Sequence, residues 1–515
     1  MRSNQPLRWQ TSRRKSLREA RLTSIRLLLP RGGFRRWHRA LAESLTNDGH
    51  RVFVTAQEGA SASPAALILL ETLERLLYAR GKASPSDPLP PGEWSPDEGT
   101  DEAGIVLDLT GAPDPAPGAI VPLFDGATGD CARDAALLSG RSPTLALARP
   151  DGAGWQVLAQ ALPAVERPSV LASGRDGVAN RIIALARQLA RGGPHALQKI
   201  PPRNGAPRAA PLRFFSAGLI DVARRRLSRL IEHEGHWRIG LRKLAPGQSG
   251  YASFEGADGA GWTWLPDDRQ RYFADPFVFE ECGVTYVFCE EYPYASGKGV
   301  ISVFTLDAAG NAGEARIALE RPYHLSYPNI FHHDGQIWMM PESSGARTLE
   351  VYRADPFPYR WILDRVVLRD VEISDATPFR WNDEWLLTGA TNEPGASSWD
   401  CLSLFSGPSP LGPWSAIGEG PALIDASAAR PAGNPFRVGS DLIRPAQDCT
   451  AFYGSGLAFC RIDEAGQGAP FRQTPIRRIS PPAGIHTFNF TSQYLAIDRV
   501  GPRGRRAVFD RLARS

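Results

Sequence analysis

The sequence predicts a two-domain protein: an α/β, doubly wound domain followed by an all-β five-bladed propeller. Three observations predict it. Strands alternate with helices over residues 22–193, the pattern of a parallel sheet. Beyond residue 233 the apolar residues change to a period of two. A short strand motif then returns five times at blade-sized intervals. The totals agree, since 515 residues are too many for one ordinary domain. The 44 prolines, 50 glycines and 13 tryptophans suit a turn-rich β architecture.

The elements follow in order. Residues 1–21 set Arg2, Arg8, Arg13, Arg14, Lys15, Arg18 and Arg21 against Glu19 alone and read as a basic disordered tail. In the 22–193 domain, Ile25–Leu29 is an apolar strand and Phe34–Leu45 has helical periodicity. Arg51–Ala56 gives a second strand, Ala65–Leu77 a second helix and Ile105–Leu109 a third strand. Leu145–Leu147 belongs to a fourth strand, and Val178–Leu189 closes the domain with a helix. Residues 194–213, rich in Pro, Arg and Ala, read as a linker. A connecting helix is expected over 214–232, where Leu219, Ile220, Val222 and Leu227 oppose Arg224, Arg225, Arg226 and Arg229. It either docks between the domains or makes peripheral contact with anionic headgroups through 214–231. Residues 501–515 form a second basic tail.

The propeller is expected over 233–500. Its motif copies are Phe273–Phe279 (FADPFVF), Ser326–Phe331 (SYPNIF), Ser374–Phe379 (SDATPF), Ala432–Phe436 (AGNPF) and the degenerate Thr487–Phe490 (TFNF). They lie roughly 50 to 57 residues apart. Each precedes a turn and a second apolar strand, beginning at Val284, Gln336, Glu384, Asp441 and Gln493. The early strand Trp237–Gly240 is placed to complete the last blade.

In a propeller the innermost strands converge, so the first residues of these copies meet at one mouth. Those positions hold Asp275, Tyr327, Asn329, Asp375, Thr377, Asn434 and Asn489. Carboxylates and amides beside aromatic rings suit sugar hydroxyls and pyranose faces; the plainer alternative is turn capping by Asp and Asn. Glu290, Glu291, Glu342, Arg444, Gln447 and Asp448 follow the second strands and are further candidates for the pocket lining.

Several classes are excluded. A formal charge of +4 is small for this length, so no nucleic-acid partner is expected. Six cysteines with no CxxC pair and no Cys/His cluster suggest free thiols in a reducing compartment. No apolar stretch reaches the roughly 18 residues of a span, and no secretory signal is evident. A cytoplasmic protein follows, with membrane association through the 214–231 helix as its variant. His324, His332, His333 and His486 lack ligand spacing, and phosphate-cradling glycine motifs are absent, so no metal and no cofactor are expected.

Two families resemble these residues. The Ala-Asp-Pro of Asp275 and the Ser-Asp-Ala-Thr-Pro of Asp375 resemble family 43 glycoside hydrolases. That resemblance implies Asp275 as general base and Asp375 as the carboxylate that tunes and orients the acid. The family's acid is a Glu of the fourth blade, where this chain has Ala432 and Gly433, so hydrolysis would need Glu342 or Glu291 to stand in. A closer resemblance spans the propeller. Phe-Ala-Asp-Pro-Phe, Met340-Pro-Glu342, Arg-Pro-Ala-Gly-Asn, Arg444–Asp448 and Thr-Phe-Asn are similar to the N-terminal domain of glucosamine inositolphosphorylceramide transferases. It implies glycan or glycolipid metabolism without supplying a transferase site. The front domain resembles a formyltransferase N-terminal domain through Val106–Gly111, Pro122–Gly126 and Thr144–Arg149, but lacks the Asn-x-His that formyl transfer requires. Binding or scaffolding is expected of it.

Three readings stay open: a carbohydrate-active protein of glycan or glycolipid assembly, a glycosidase or transglycosidase using Asp275, Asp375 and Glu342, and a scaffold with a glycosyltransferase partner.

Overall fold

The computed structural model describes residues 23–501 except 32, 60–63, 79–82, 91, 95–98, 100–102, 153, 193–196, 202–210, 232–234, 393–395 and 419. Both basic tails and most of the expected linker lie outside the described residues. The described residues divide into two compact units, one holding Thr23–Ala223 with Ala396 and Ser397, and the other Arg224–Asn392 with Ser398–Gly501.

In the front unit, Ser24–Pro30 lies between Arg51–Gln57 and Ile105–Asp108 in a parallel sheet. Ile25, Leu27 and Leu29 are fully buried. Helix Arg36–Asn47 turns Trp37, Leu41 and Leu45 inward at helical spacing. Helix Leu171–Gly192 does the same with Val178, Ile182, Leu185 and Leu189.

The rest of the unit corrects the doubly wound expectation. Val121–Phe124, Leu145–Asp151, Gly154–Ala161 and Gln198–Ile200 pair antiparallel. The reason is the connection between the two longest strands. Asp151 pairs directly with Gly154, with Gly152 at φ 60°, and only antiparallel neighbours can be joined so closely. The first three strands and the antiparallel set meet at one parallel bridge, Leu107 to Ile120. Strand Gln198–Ile200 lies inside the expected linker, and helix Pro211–Ile231 covers the expected connecting helix. Among the described residues no helix is long and apolar enough to cross a membrane.

The described residues of the second unit form five antiparallel sheets. The first comprises Arg271–Glu281, Val284–Pro293, Val300–Thr305 and Arg316–Leu319. The second runs Ser326–His333, Gln336–Glu342, Thr348–Ala354 and Trp361–Arg369. The third starts with Ile373–Trp381, Glu384–Thr391 and Cys401–Gly407, and the fourth with Phe436–Val438, Asp441–Asp448, Gly456–Glu464 and Arg472–Ile479. The fifth joins the two ends of the unit: Phe488–Phe490 and Tyr494–Val500 are extended by Trp237–Lys243 and Thr263–Trp264.

The hydrophobic core lies between sheets. Phe277, Phe288 and Val303 of the first sheet meet Ile330, Met339 and Tyr352 of the second. Met340 and Val351 of the second meet Ile373, Leu387 and Phe405 of the third. Phe379 and Leu386 meet Leu442 and Ile462 of the fourth, and Ile443 and Phe459 meet Phe488 and Leu495 of the fifth. Ile239, Leu241 and Tyr494 of the fifth pack on Phe273 and Val287 of the first. The packing is therefore cyclic. Each strand alternates one apolar face toward each neighbouring sheet, which accounts for the period-two pattern.

Candidate functional site

The opening strands of the first three sheets share a device. Their pairing slips at Ala274/Phe277, Ser326/Asn329 and Ser374/Thr377, each slip a β-bulge. The residue at the bulge takes a left-handed conformation: Asp275 at φ 52°, Tyr327 at 44° and Asp375 at 54°. The fourth copy has Gly433 at φ 133° in the same place. Non-glycine residues there, a bulky tyrosine above all, are held by surrounding contacts.

Those contacts run from sheet to sheet. Asp275 N–H donates to Asp498 Oδ2 (3.0 Å), and Tyr327 N–H donates to Asp275 Oδ2 (3.2 Å). Asp375 N–H donates to Glu342 Oε2 (3.2 Å), and Gly433 N–H to the Tyr327 hydroxyl (2.8 Å). That hydroxyl also lies 2.9 Å from Thr377 Oγ1. Asn329 Nδ2 donates to Asn434 Oδ1 (2.8 Å), Asn434 N–H to Asn489 Oδ1 (2.9 Å), and Asn489 Nδ2 to Pro276 O (3.0 Å). The convergent positions thus form one buried polar network, none of them more than 5% exposed apart from Asn434.

Two charged groups organise it. In one, His486 Nε2 lies 3.1 Å from Asp275 Oδ1 and Nδ1 2.9 Å from Asp498 Oδ1. The Nδ1 approach is out of line for a hydrogen bond, so the contact is ionic. Thr487 Oγ1 donates to Asp275 Oδ1 (2.9 Å), and Asp498 Oδ1 accepts the His486 and Thr487 N–H groups (3.0 and 2.9 Å). Burial opposes a charged imidazole, but Asp498 and Asp275 outweigh it and lift His486 to about 10. Asp275 moves the other way: burial would raise its carboxyl, yet His486 and Thr487 hold it below the usual value. The three ligand atoms lie within 4.8 Å of one another, the only such group found among the described residues. As arranged, a protonated imidazole already supplies the positive charge.

In the other group, Asp375 Oδ2 accepts from Arg430 Nε (2.6 Å) and Gln447 Nε2 (3.0 Å). Arg430 also stands 4.0 Å from Glu342 and bonds Ser398 Oγ (3.1 Å). Burial pushes the Asp375 carboxyl up to about 8, with Glu342 and Asp275 adding to burial and Arg430 opposing it. The Arg430 guanidinium sits 5.0 Å from the centroid of the Tyr453 ring. Tyr453 in turn contacts Trp399 (5.7 Å between centroids) and His486 (5.3 Å). Tyr453 and Trp399 are partly exposed, so the buried network meets solvent at these rings.

Nine expected residues therefore come together: Asp275, Tyr327, Asn329, Glu342, Asp375, Thr377, Asn434, Gln447 and Asn489. Three do not. Glu291 is held by Arg271 and Ser302, each at 2.6 Å. Successive strand residues face opposite ways, and its neighbour Glu290 is bonded instead to Tyr272 and paired with His324, each at 3.2 Å. Arg444 is buried against the carbonyls of Ala428 and Ala429 and against Gln473. Asp448 caps a turn through Thr450 N–H and Oγ1. Sequence reasoning missed His486, Asp498, Arg430 and Tyr453. Asp498 did leave a signal, as the one acid in the buried run Tyr494–Asp498.

Residues 267–476 match the family model described as "Glucosamine inositolphosphorylceramide transferase 1, N-terminal". The rice (Oryza sativa subsp. japonica) protein of that name is 30% identical over 210 residues, 40% of this chain and 28% of the relative. The Arabidopsis thaliana protein is 30% identical over 196 residues, 38% of this chain and 26% of the relative. The chain thus spans little over a quarter of the length of these relatives. Among solved structures, a thermostable family-43 glycoside hydrolase aligns at 12% identity and TM-score 0.32, over 41% of this chain and 78% of its own. A family 117 glycoside hydrolase of Zobellia galactanivorans aligns at 14% identity and TM-score 0.33, over 52% and 91%. Across residues 267–476, then, the chain is similar to the N-terminal domain of the glucosamine inositolphosphorylceramide transferases.

Proposed function

We propose that this protein works in glycan or glycolipid assembly, and that its second unit is a five-bladed propeller that recognises a sugar where the polar network meets Tyr453 and Trp399. One observation carries the reading. The segment similar to the transferase N-terminal domain contains Asp275, Tyr327, Asp375, Arg430, Gln447 and Tyr453. A sugar needs directed donors and acceptors beside a ring face, and partly exposed aromatic rings next to a buried charged network supply both.

Recognition is favoured over hydrolysis. The Asp275 oxygens already serve His486, Thr487 and Tyr327, and Asp375 is tied to Arg430 and Gln447. An inverting hydrolase needs a free base and a protonated acid across the bond, and Ala432 with Gly433 stands where the resemblance would put that acid. A propeller of this kind would work beside a separate glycosyltransferase, with the front unit as scaffold. We place both in the cytoplasm, where unpaired thiols such as Cys131 and Cys282 persist.

The test is a panel of glycosides and glycolipids offered to the wild type and to Trp399→Ala and Tyr453→Ala, with retained ligands and products followed by mass spectrometry. The expected result is a ligand retained unchanged by the wild type and bound about tenfold more weakly by either variant. A product released by the wild type but not by Asp275→Asn would make the unit a glycosidase or transglycosidase instead. Retention of nothing would end the sugar reading.

A further inference from the structure

We propose that helices Ala65–Tyr78 and Pro211–Ile231 dock the protein on an anionic lipid surface. The two helices share one core: Leu67 and Leu70 of the first are buried with Phe214 of the second. Each turns an apolar stripe outward. On the first, Ile68, Leu69 and Leu76 recur at helical spacing, and Leu76 is 77% exposed. On the second, Leu212 and Ile220 are each 69% exposed.

The charge pattern selects the occupant. Both glutamates of the first helix are used away from its exposed stripe. Glu74 accepts the N–H groups of Leu171 and Ala172 (2.8 and 2.9 Å), and Glu71 pairs with Arg35, Arg75 and Arg175. The single acid of the second helix, Asp221, bonds Ser169 (3.3 Å). The outward stripes therefore carry no negative charge. On the second helix the stripe is bordered by exposed arginines, Arg226 on one side and Arg213 on the other, by their positions around the helix. An acid-free apolar stripe edged by guanidinium groups fits headgroup phosphates above and acyl chains below. A stripe awaiting a protein partner has no such need of cations on both borders.

Flotation of the full chain with vesicles of phosphatidylcholine, alone or mixed with phosphatidylserine, tests this. The expected result is binding to the mixed vesicles only, weakening as salt rises. Leu69→Gln with Leu76→Gln should lower it at least about tenfold, as should Leu212→Gln with Ile220→Gln, and Arg213→Gln with Arg226→Gln. These residues are exposed, so unchanged near-ultraviolet circular dichroism should accompany each loss. Absence of binding to mixed vesicles would overturn the proposal, as would variants that bind like the wild type. A wild-type dimer in light scattering that the leucine variants convert to monomer, with no vesicle binding, would instead assign the face to a second copy of the chain.

Discussion

His486 sits between two buried carboxylates, and its proton is therefore part of the folded state. Its value rises from 6.5 to about 10 because Asp498 and Asp275 outweigh burial. Between those limits the folded protein holds a proton that the unfolded chain releases, so stability must fall as pH rises across the window. The contribution is complete below 6.5 and gone above about 10. Asp375, pushed up to about 8 by burial, works in the same direction over a lower range. Denaturant titrations of the wild type and His486→Gln at both ends of the window separate the two. The variant should lose the decline between 8 and 10 and keep the part due to Asp375. Asp498→Asn should cost about 3–5 kcal/mol by the same measurement, since it strips one partner from a buried ion pair. An Asp498→Asn protein as stable as the wild type would remove the carboxylate from this role. Asp275 and Asp375 could be read in the sequence because each sits in a repeated motif. His486 could not, because it occurs once and finds its partners only when the fifth sheet closes on the first; Asp498 stood out only as the one acid in the apolar run Tyr494–Asp498.

The repeated strand opening is the unit of this architecture, and its bulge explains why Asp, Tyr, Asp and Gly share one structural position. At three copies the left-handed residue is fixed by an inter-sheet hydrogen bond from its own N–H, to Asp498, Asp275 and Glu342. At the fourth, Gly433 donates to Tyr327. A Cβ at Gly433 would run into the Phe488 carbonyl, so Gly433→Ala should fail to give soluble folded protein. Tyr327→Phe keeps the ring and removes only the hydroxyl, leaving Gly433 N–H without its acceptor. It should lower unfolding free energy by about 1–3 kcal/mol in denaturant; no loss would mean the hydroxyl does not hold the fourth strand in place. The five openings and their second strands were legible because period-two apolar alternation and X-Pro turns are local signals. The antiparallel part of the front unit was less so. Leu145–Leu147 reads as one more strand of a βα pattern until the Asp151-Gly152 turn, which pairs it with Gly154–Ala161, is given its weight.

At the scale of the molecule, the cyclic packing makes the second unit's stability depend on a strand from its own beginning. Trp237–Lys243 pairs residue for residue with Tyr494–Val500, from Tyr494 opposite Lys243 to Val500 opposite Trp237. It also brings Ile239 and Leu241 into the core shared with Phe273 and Val287 of the first sheet. Without it Tyr494–Val500 becomes an open edge, and Asp498 loses the flank of the strand that places it against Asp275. Every inter-sheet core in such a ring is braced by the next, so the loss is not confined to one sheet. Two truncated chains separate this from a general dependence on the front unit. A chain beginning at Gly235 retains the closing strand and should unfold in one cooperative transition with folded near-ultraviolet circular dichroism. A chain beginning at Leu244 lacks only the residues before it and should be aggregated or molten. Equal behaviour of the two would mean that the strand covers an already stable ring. Failure of both would make the front unit, and not strand pairing, the condition for folding.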